Sequence, residues 1–112
     1  MADVLIIPSS EFRRQVKRLA KKYRSLGEDL FTLQQALRQN PFVGIDLGNG
    51  KRKIRLGVTS KGTGKRSGMR VITFNVVQTT DSITIYLITI YDKSEYQSVS
   101  DKYVDQIIKG LE

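Results

Sequence analysis

Two hydrophobic periods alternate along the chain. They mark a helical first third, a strand-rich middle and a final helix. Residues 4–7 are a short apolar run closed by Pro8, which predicts a first strand. Ser9 or Ser10 then caps a helix. Phe12, Val16, Leu19, Ala20 and Tyr23 recur at helical spacing and form its buried stripe. The residues Ser25, Leu26, Gly27 and Glu28 fit a capping box, and Leu30, Leu33, Ala36 and Leu37 follow as the apolar face of a second helix. Asn40 and Pro41 end it, because the residue before a proline is pushed out of the helical region.

The period then becomes two. Asn49-Gly50 suits a tight hairpin turn with positive φ. Beyond it Ile54, Leu56 and Val58 alternate with Lys53, Arg55 and Gly57. If the apolar set faces the core, Lys53 and Arg55 share the open face of a sheet. Residues 60–68 read as a loop, 70–77 as a strand, 81–82 as a turn and 83–91 as a long strand rich in β-branched and aromatic residues. Residues 98–101 open a last helix, with Val104, Ile107, Ile108 and Leu111 at helical spacing. The order is β-α-α-β-β-β-α, with room for an extra short strand at 43–47. It predicts one α+β domain over residues 1–112, with an antiparallel sheet, two N-terminal helices packed on one face and a C-terminal helix on that same side.

Composition removes several chemistries. Cysteine and histidine are both absent. Disulfides, thiolate metal sites and the usual imidazole base therefore go with them. Acid–base work falls to Lys, Tyr, Asp, Glu or water, and no cofactor is expected. No apolar run approaches the ~18 residues of a membrane span. The opening residues predict no secretory leader.

The net charge of +8 is concentrated in one stretch. Residues 47–80 hold no acidic residue and eight basic ones: Lys51, Arg52, Lys53, Arg55, Lys61, Lys65, Arg66 and Arg70. Eleven basic and eleven acidic residues remain for the rest of the chain. Such a local excess is the footprint of a polyanion partner, against the plainer reading of a solubilising surface, which ordinarily mixes signs. The glycine-rich segment 62–68 is not a phosphate-binding P-loop, since Thr59 and Arg66 stand where that motif needs Gly and Ser or Thr. Nor is it a dinucleotide fingerprint, because Ser67 replaces the third glycine and a strand follows. It remains a basic loop whose Lys65 and Arg66 suit phosphates, or else a simple hairpin tip. Lys53, Arg55, Arg70, Tyr91 and Lys93 converge on one concave surface if their strands are neighbours. Such a cluster binds a phosphodiester and stabilises its pentacoordinate transition state. The competing view is a solvated sheet face. Tyr86, Tyr96 and Tyr103 offer rings for stacking on bases, or serve as core and rim.

These features together resemble the RelE/ParE superfamily of bacterial toxins, in its HigB-like, RelE-type branch. The resemblance rests on RKIRL at 52–56, KGTGKRSGMRVI at 61–72 and IYLITIYDKSE at 85–95, with 12–23 and Asn40-Pro41 similar to the family's helical half. It implies a cytoplasmic toxin of a type II toxin–antitoxin module that cuts mRNA in the ribosomal A site without a metal. Its partners are then a cognate antitoxin, the ribosome and mRNA, with operator DNA met only through the antitoxin complex and no membrane. By position, the catalytic cations fall on Lys53, Arg55, Arg70 and Lys93, with Tyr91 or Tyr96 as the tyrosine; Lys51, Arg52, Lys61, Lys65 and Arg66 are left to bind RNA. The alternatives are a ParE-like inhibitor of DNA gyrase and a basic RNA-binding module.

Overall fold

The computed structural model describes residues 3–62 and 68–111. Within them the chain runs β1 (Asp3–Pro8), α1 (Ser10–Ala20), α2 (Leu26–Gln39), β2 (Ile45–Gly48), β3 (Lys51–Leu56), a 3₁₀ turn (Thr59–Lys61), β4 (Met69–Thr79), β5 (Ser82–Asp92) and α3 (Asp101–Lys109). The result is an α+β fold. The additional short strand expected near 43–47 is β2.

The described strands form one sheet in the order β1-β5-β4-β3-β2. β2 to β5 are an antiparallel meander. β1 runs parallel to β5, from Asp3 opposite Ser82 to Pro8 opposite Leu87. The sheet is therefore mixed, not antiparallel throughout. The two-helix connection carries the chain from one sheet edge to the other, and the meander returns so that β5 arrives beside β1 in the same direction.

Helices cover both faces, which corrects the one-sided packing expected from the pattern. α1 and α2 bury Phe12, Leu19, Leu33 and Leu37 against Ile54, Val71, Ile85 and Ile90. On the opposite face Val104 of α3 packs with Ile72, Ile88 and Tyr91. The cause lies in the central strands. β4 and β5 are apolar on both sides, so each side needs a cover. Register shifts between Ile72 and Thr73 and between Val77 and Thr79 accompany this double-sided burial.

The ends of the helices are set by specific contacts. Ser9 is the cap of α1: its Oγ accepts from the Phe12 N–H at 2.9 Å and donates to the Ile88 carbonyl at 2.6 Å, so it also ties the helix to β5. Ser9→Ala is expected to lower stability by about 1–2 kcal/mol in urea unfolding, while exposed Ser10→Ala changes it by only tenths. The capping box proposed at Ser25 does not form. The Ser25 backbone is already helical and its side chain caps nothing. Its hydroxyl donates to Asp29 Oδ2 at 2.7 Å and accepts the Ser60 N–H at 2.8 Å. Asp29 also accepts the Thr59 hydroxyl at 3.0 Å, so the start of α2 is moored to the 3₁₀ turn. Ala20 and Ala36, assigned to buried stripes, are exposed. Ser100 caps α3, accepting from the Tyr103 N–H at 3.1 Å. Asn49 and Gly50 turn the β2–β3 hairpin with φ of 55° and 83°, as the dipeptide predicts. Among the described residues no helix is long and apolar enough to cross a membrane.

Candidate functional site

Strand parity decides which basic residues meet. Ile54 and Leu56 lie in the cluster under α1 and α2. Lys51, Lys53 and Arg55 therefore point to the α3 side. In the register Arg55 stands opposite Arg70, and Arg70 opposite Tyr91. Three neighbouring strands thus contribute one row across the sheet: Arg55, Arg70, Tyr91. Two guanidinium groups directly opposite each other repel, a cost of up to roughly 1 kcal/mol that a purely structural sheet avoids.

The row opens into a cleft of about 480 Å³ lined by Val43, Gly44, Ile45, Lys53, Ile54, Arg55, Arg70 and Lys93. Four of these residues are cationic and none is acidic. Among the described residues, Lys53, Arg55 and Lys93 form no ion pair. Lys93 Nζ donates to the Gln97 carbonyl at 2.8 Å, which holds it half-buried. Arg70 is only 6% exposed, and its Nη1 donates to the Met69 carbonyl at 3.2 Å. Clustered positive charge between low-dielectric walls focuses the potential on an entering anion. The sequence-predicted quartet Lys53, Arg55, Arg70 and Lys93 is brought together here.

The other predicted residues are placed differently. Lys51 is buried and its Nζ meets Asp105 of α3 at 2.9 Å. It fastens the last helix to the sheet. Arg52 points to the opposite face from Lys51 and Lys53. Its guanidinium donates to the Val43 and Gly44 carbonyls at 3.3 and 3.0 Å, so it holds one wall of the cleft. Lys61 lies away from the cleft: its side chain is 10% exposed, 2.6 Å from Asp92 and 5.4 Å above the Tyr23 ring. Lys65 and Arg66 lie outside the described residues.

Tyr91 is 3% exposed, and its hydroxyl has no hydrogen-bond partner among the described groups. Burial pushes its phenol above the usual pKa, with Arg70 pulling weakly the other way. It adjoins the cation row and stays protonated at neutral pH.

Two features escaped the sequence reading. Asp92, fully buried at the end of β5, accepts from Lys61 and Tyr23, each at 2.6 Å, and from Ser94 Oγ at 2.7 Å. Burial alone would raise its pKa, but these donors outweigh it and hold the carboxyl well below the usual range. The knot anchors the strand end from which Lys93 projects. The second feature is Gly44. Its φ of +98° is disfavoured for other residues, and a Cβ there would come within 2.5 Å of the Lys53 carbonyl and 2.8 Å of Ile54 Cγ1. Gly44→Ala is expected to displace the cleft wall and to destabilise by about 1–3 kcal/mol, read as a lower urea midpoint with shifted amide signals along β3. The pattern Pro41-Phe-Val-Gly44 was the available signal for a forced turn.

Among the described residues no three of His, Cys, Asp or Glu group as metal ligands. Compared with models of known protein families, the chain matches none.

Proposed function

We propose that the protein is a RelE/ParE-like toxin of a type II toxin–antitoxin pair that cuts mRNA on the ribosome. The observation that supports this reading is the cleft in which Lys53, Arg55, Arg70 and Lys93 meet with no acidic neighbour in its lining. A phosphodiester is the natural occupant of such a site, because guanidinium and ammonium groups meet its oxygens with charge-assisted hydrogen bonds. The observed element order, with two helices between the first two strands and a meander after them, accords with the resemblance to that superfamily.

The chemistry asks for no outside nucleophile. The 2′-OH of the RNA attacks the adjacent phosphorus while the bond to the 5′ oxygen breaks, leaving a 2′,3′-cyclic phosphate and a 5′-hydroxyl. Lys53, once it has released its own ammonium proton to solvent, takes the proton of the attacking hydroxyl. Arg55 and Arg70 stabilise the additional charge on the pentacoordinate phosphorus, and the fixed guanidinium of Arg70 needs little reorganisation to do so. Lys93 delivers a proton to the leaving oxygen, with protonated Tyr91 beside the row. An acidic antitoxin is the expected partner, neutralising the same cations.

The test is purified protein added to translating ribosomes with a reporter mRNA. Cuts in phase with codons, ending in cyclic phosphate, are the expected result. Intact mRNA together with blocked DNA supercoiling would instead make the protein a gyrase inhibitor. Salt-sensitive RNA binding with neither effect would reduce it to a binding module.

A further inference from the structure

A second cavity, of about 390 Å³, is lined in part by β5, the strand paired with the β4 residue Arg70 of the basic cleft. Its walls include Glu11, Arg14, Thr89, Tyr91, Tyr96 and Tyr103. We infer that it is a nucleobase subsite, which receives an unpaired base of the RNA strand whose phosphate lies in the cleft; this rests on the reading of that cleft as an RNA site. Tyr91 joins the two spaces. It lines the cavity, and it stands opposite Arg70, which lines the cleft. Adjacent strands are ~4.8 Å apart, so the backbone of Tyr91 lies directly beside that of Arg70.

The two spaces differ in charge. In the cavity Glu11 is already satisfied: its carboxylate accepts from Arg14 Nε at 2.8 Å, from Gln15 at 3.1 Å and from the Tyr103 hydroxyl. Arg14 and Glu11 neutralise each other. A neutral, ring-lined space beside a strongly cationic one fits the two halves of a nucleotide. The rings are also held differently. Tyr103 is fixed by Glu11 and by Thr89, 3.0 Å from its hydroxyl. Tyr96 is 54% exposed and lies at the mouth, so its ring is available for stacking. Because the carboxylate is fully engaged, the site grips ring faces more than base edges. It therefore tolerates any base but requires one.

The experiment compares two labelled five-residue oligomers of equal charge by fluorescence anisotropy at one salt concentration. One is a 2′-O-methylated RNA, which cannot be cut; the other has the same backbone with every base removed. The wild type is expected to bind the complete oligomer roughly tenfold more tightly. Tyr96→Ala should erase that difference without changing affinity for the baseless strand, and Tyr96→Phe should keep it. Arg55→Ala should weaken both oligomers alike. Equal affinity for the two oligomers in the wild type, or an unchanged preference in Tyr96→Ala, would overturn the subsite while the Arg55 effect still supports the cleft. If neither oligomer binds, or if Arg55→Ala alters neither, the cleft and the subsite fall together.

Discussion

If the protein cuts mRNA as proposed, replacing Arg55 by Ala, or Arg70 by Met, is expected to lower that cleavage by about 10²–10³-fold each, the usual loss when one preorganised charge donor leaves a transition state. The double variant should lose less than the product of the two, because both side chains act on one phosphate. Stability should move the other way for Arg55. It is exposed and faces Arg70 directly across the strand pair, so its removal relieves a like-charge contact. Arg55→Ala is expected to unfold at the same or a slightly higher urea concentration, a gain of up to roughly 1 kcal/mol. Arg70→Met keeps the buried stem of the side chain and removes only the charged head, which separates lost chemistry from lost packing. Product-end mapping for cleavage and urea midpoints for stability provide the check. A well-folded Arg55→Ala protein that cuts at the wild-type rate would remove Arg55 from the mechanism.

The second large effect concerns Asp92. Asp92→Asn preserves the shape of the side chain but removes the carboxylate charge that lies 2.6 Å from the Lys61 ammonium, whose side chain is 10% exposed. Breaking one side of a buried pair costs about 3–5 kcal/mol. For a chain of this size that is a fall in Tm of roughly 10–30 °C. Lys61→Met alone should be comparably harmful, since it strands the carboxylate. The double replacement should recover much of the loss, because no buried charge is then left alone. The pH dependence has a definite sign. The carboxyl of Asp92 is held below its unfolded value of about 3.9, so its contribution is fully present above that pH. It is lost as pH falls from there through the depressed folded value. The gap in stability between wild type and Asp92→Asn should therefore be constant near neutrality and close only in strong acid.

How much was legible in the sequence depended on the range of the interaction. The alternation of Ile54, Leu56 and Val58 with Lys53 and Arg55 is wholly local, and the structure does place the two cations on the face opposite Ile54 and Leu56, although α3 covers part of that face where an open one was expected. Arg70 followed, because a hairpin brings the next strand back in register. The site also drew on wider contacts that no local pattern encodes. Lys51 lies on the correct face, yet Asp105, on a helix 54 positions later, occupies its ammonium. Lys61 looked like a loop cation because its partner Asp92 is 31 residues away. The direction of β1 was equally hidden, since it depends on where a meander of four strands ends. The placement of α3 was readable in principle. β5 reads SITIYLITIYD, an almost continuous apolar run, and a strand buried on both faces implies a second covering layer.

The parallel seam between β1 and β5 has a temporal consequence. The partners Asp3 and Ser82 are nearly eighty residues apart, so β1 has no strand to pair with until β5 has left the ribosome. α1 waits as well, because the contact of Ser9 with Ile88 belongs to the same late strand. Pairings of such long range are the slow ones, and loop closure must precede their reward. The nascent chain therefore passes most of its synthesis with α1 lacking the strand it packs on, and the row of Arg55 and Arg70 is completed only once Tyr91 has taken its place beside Arg70.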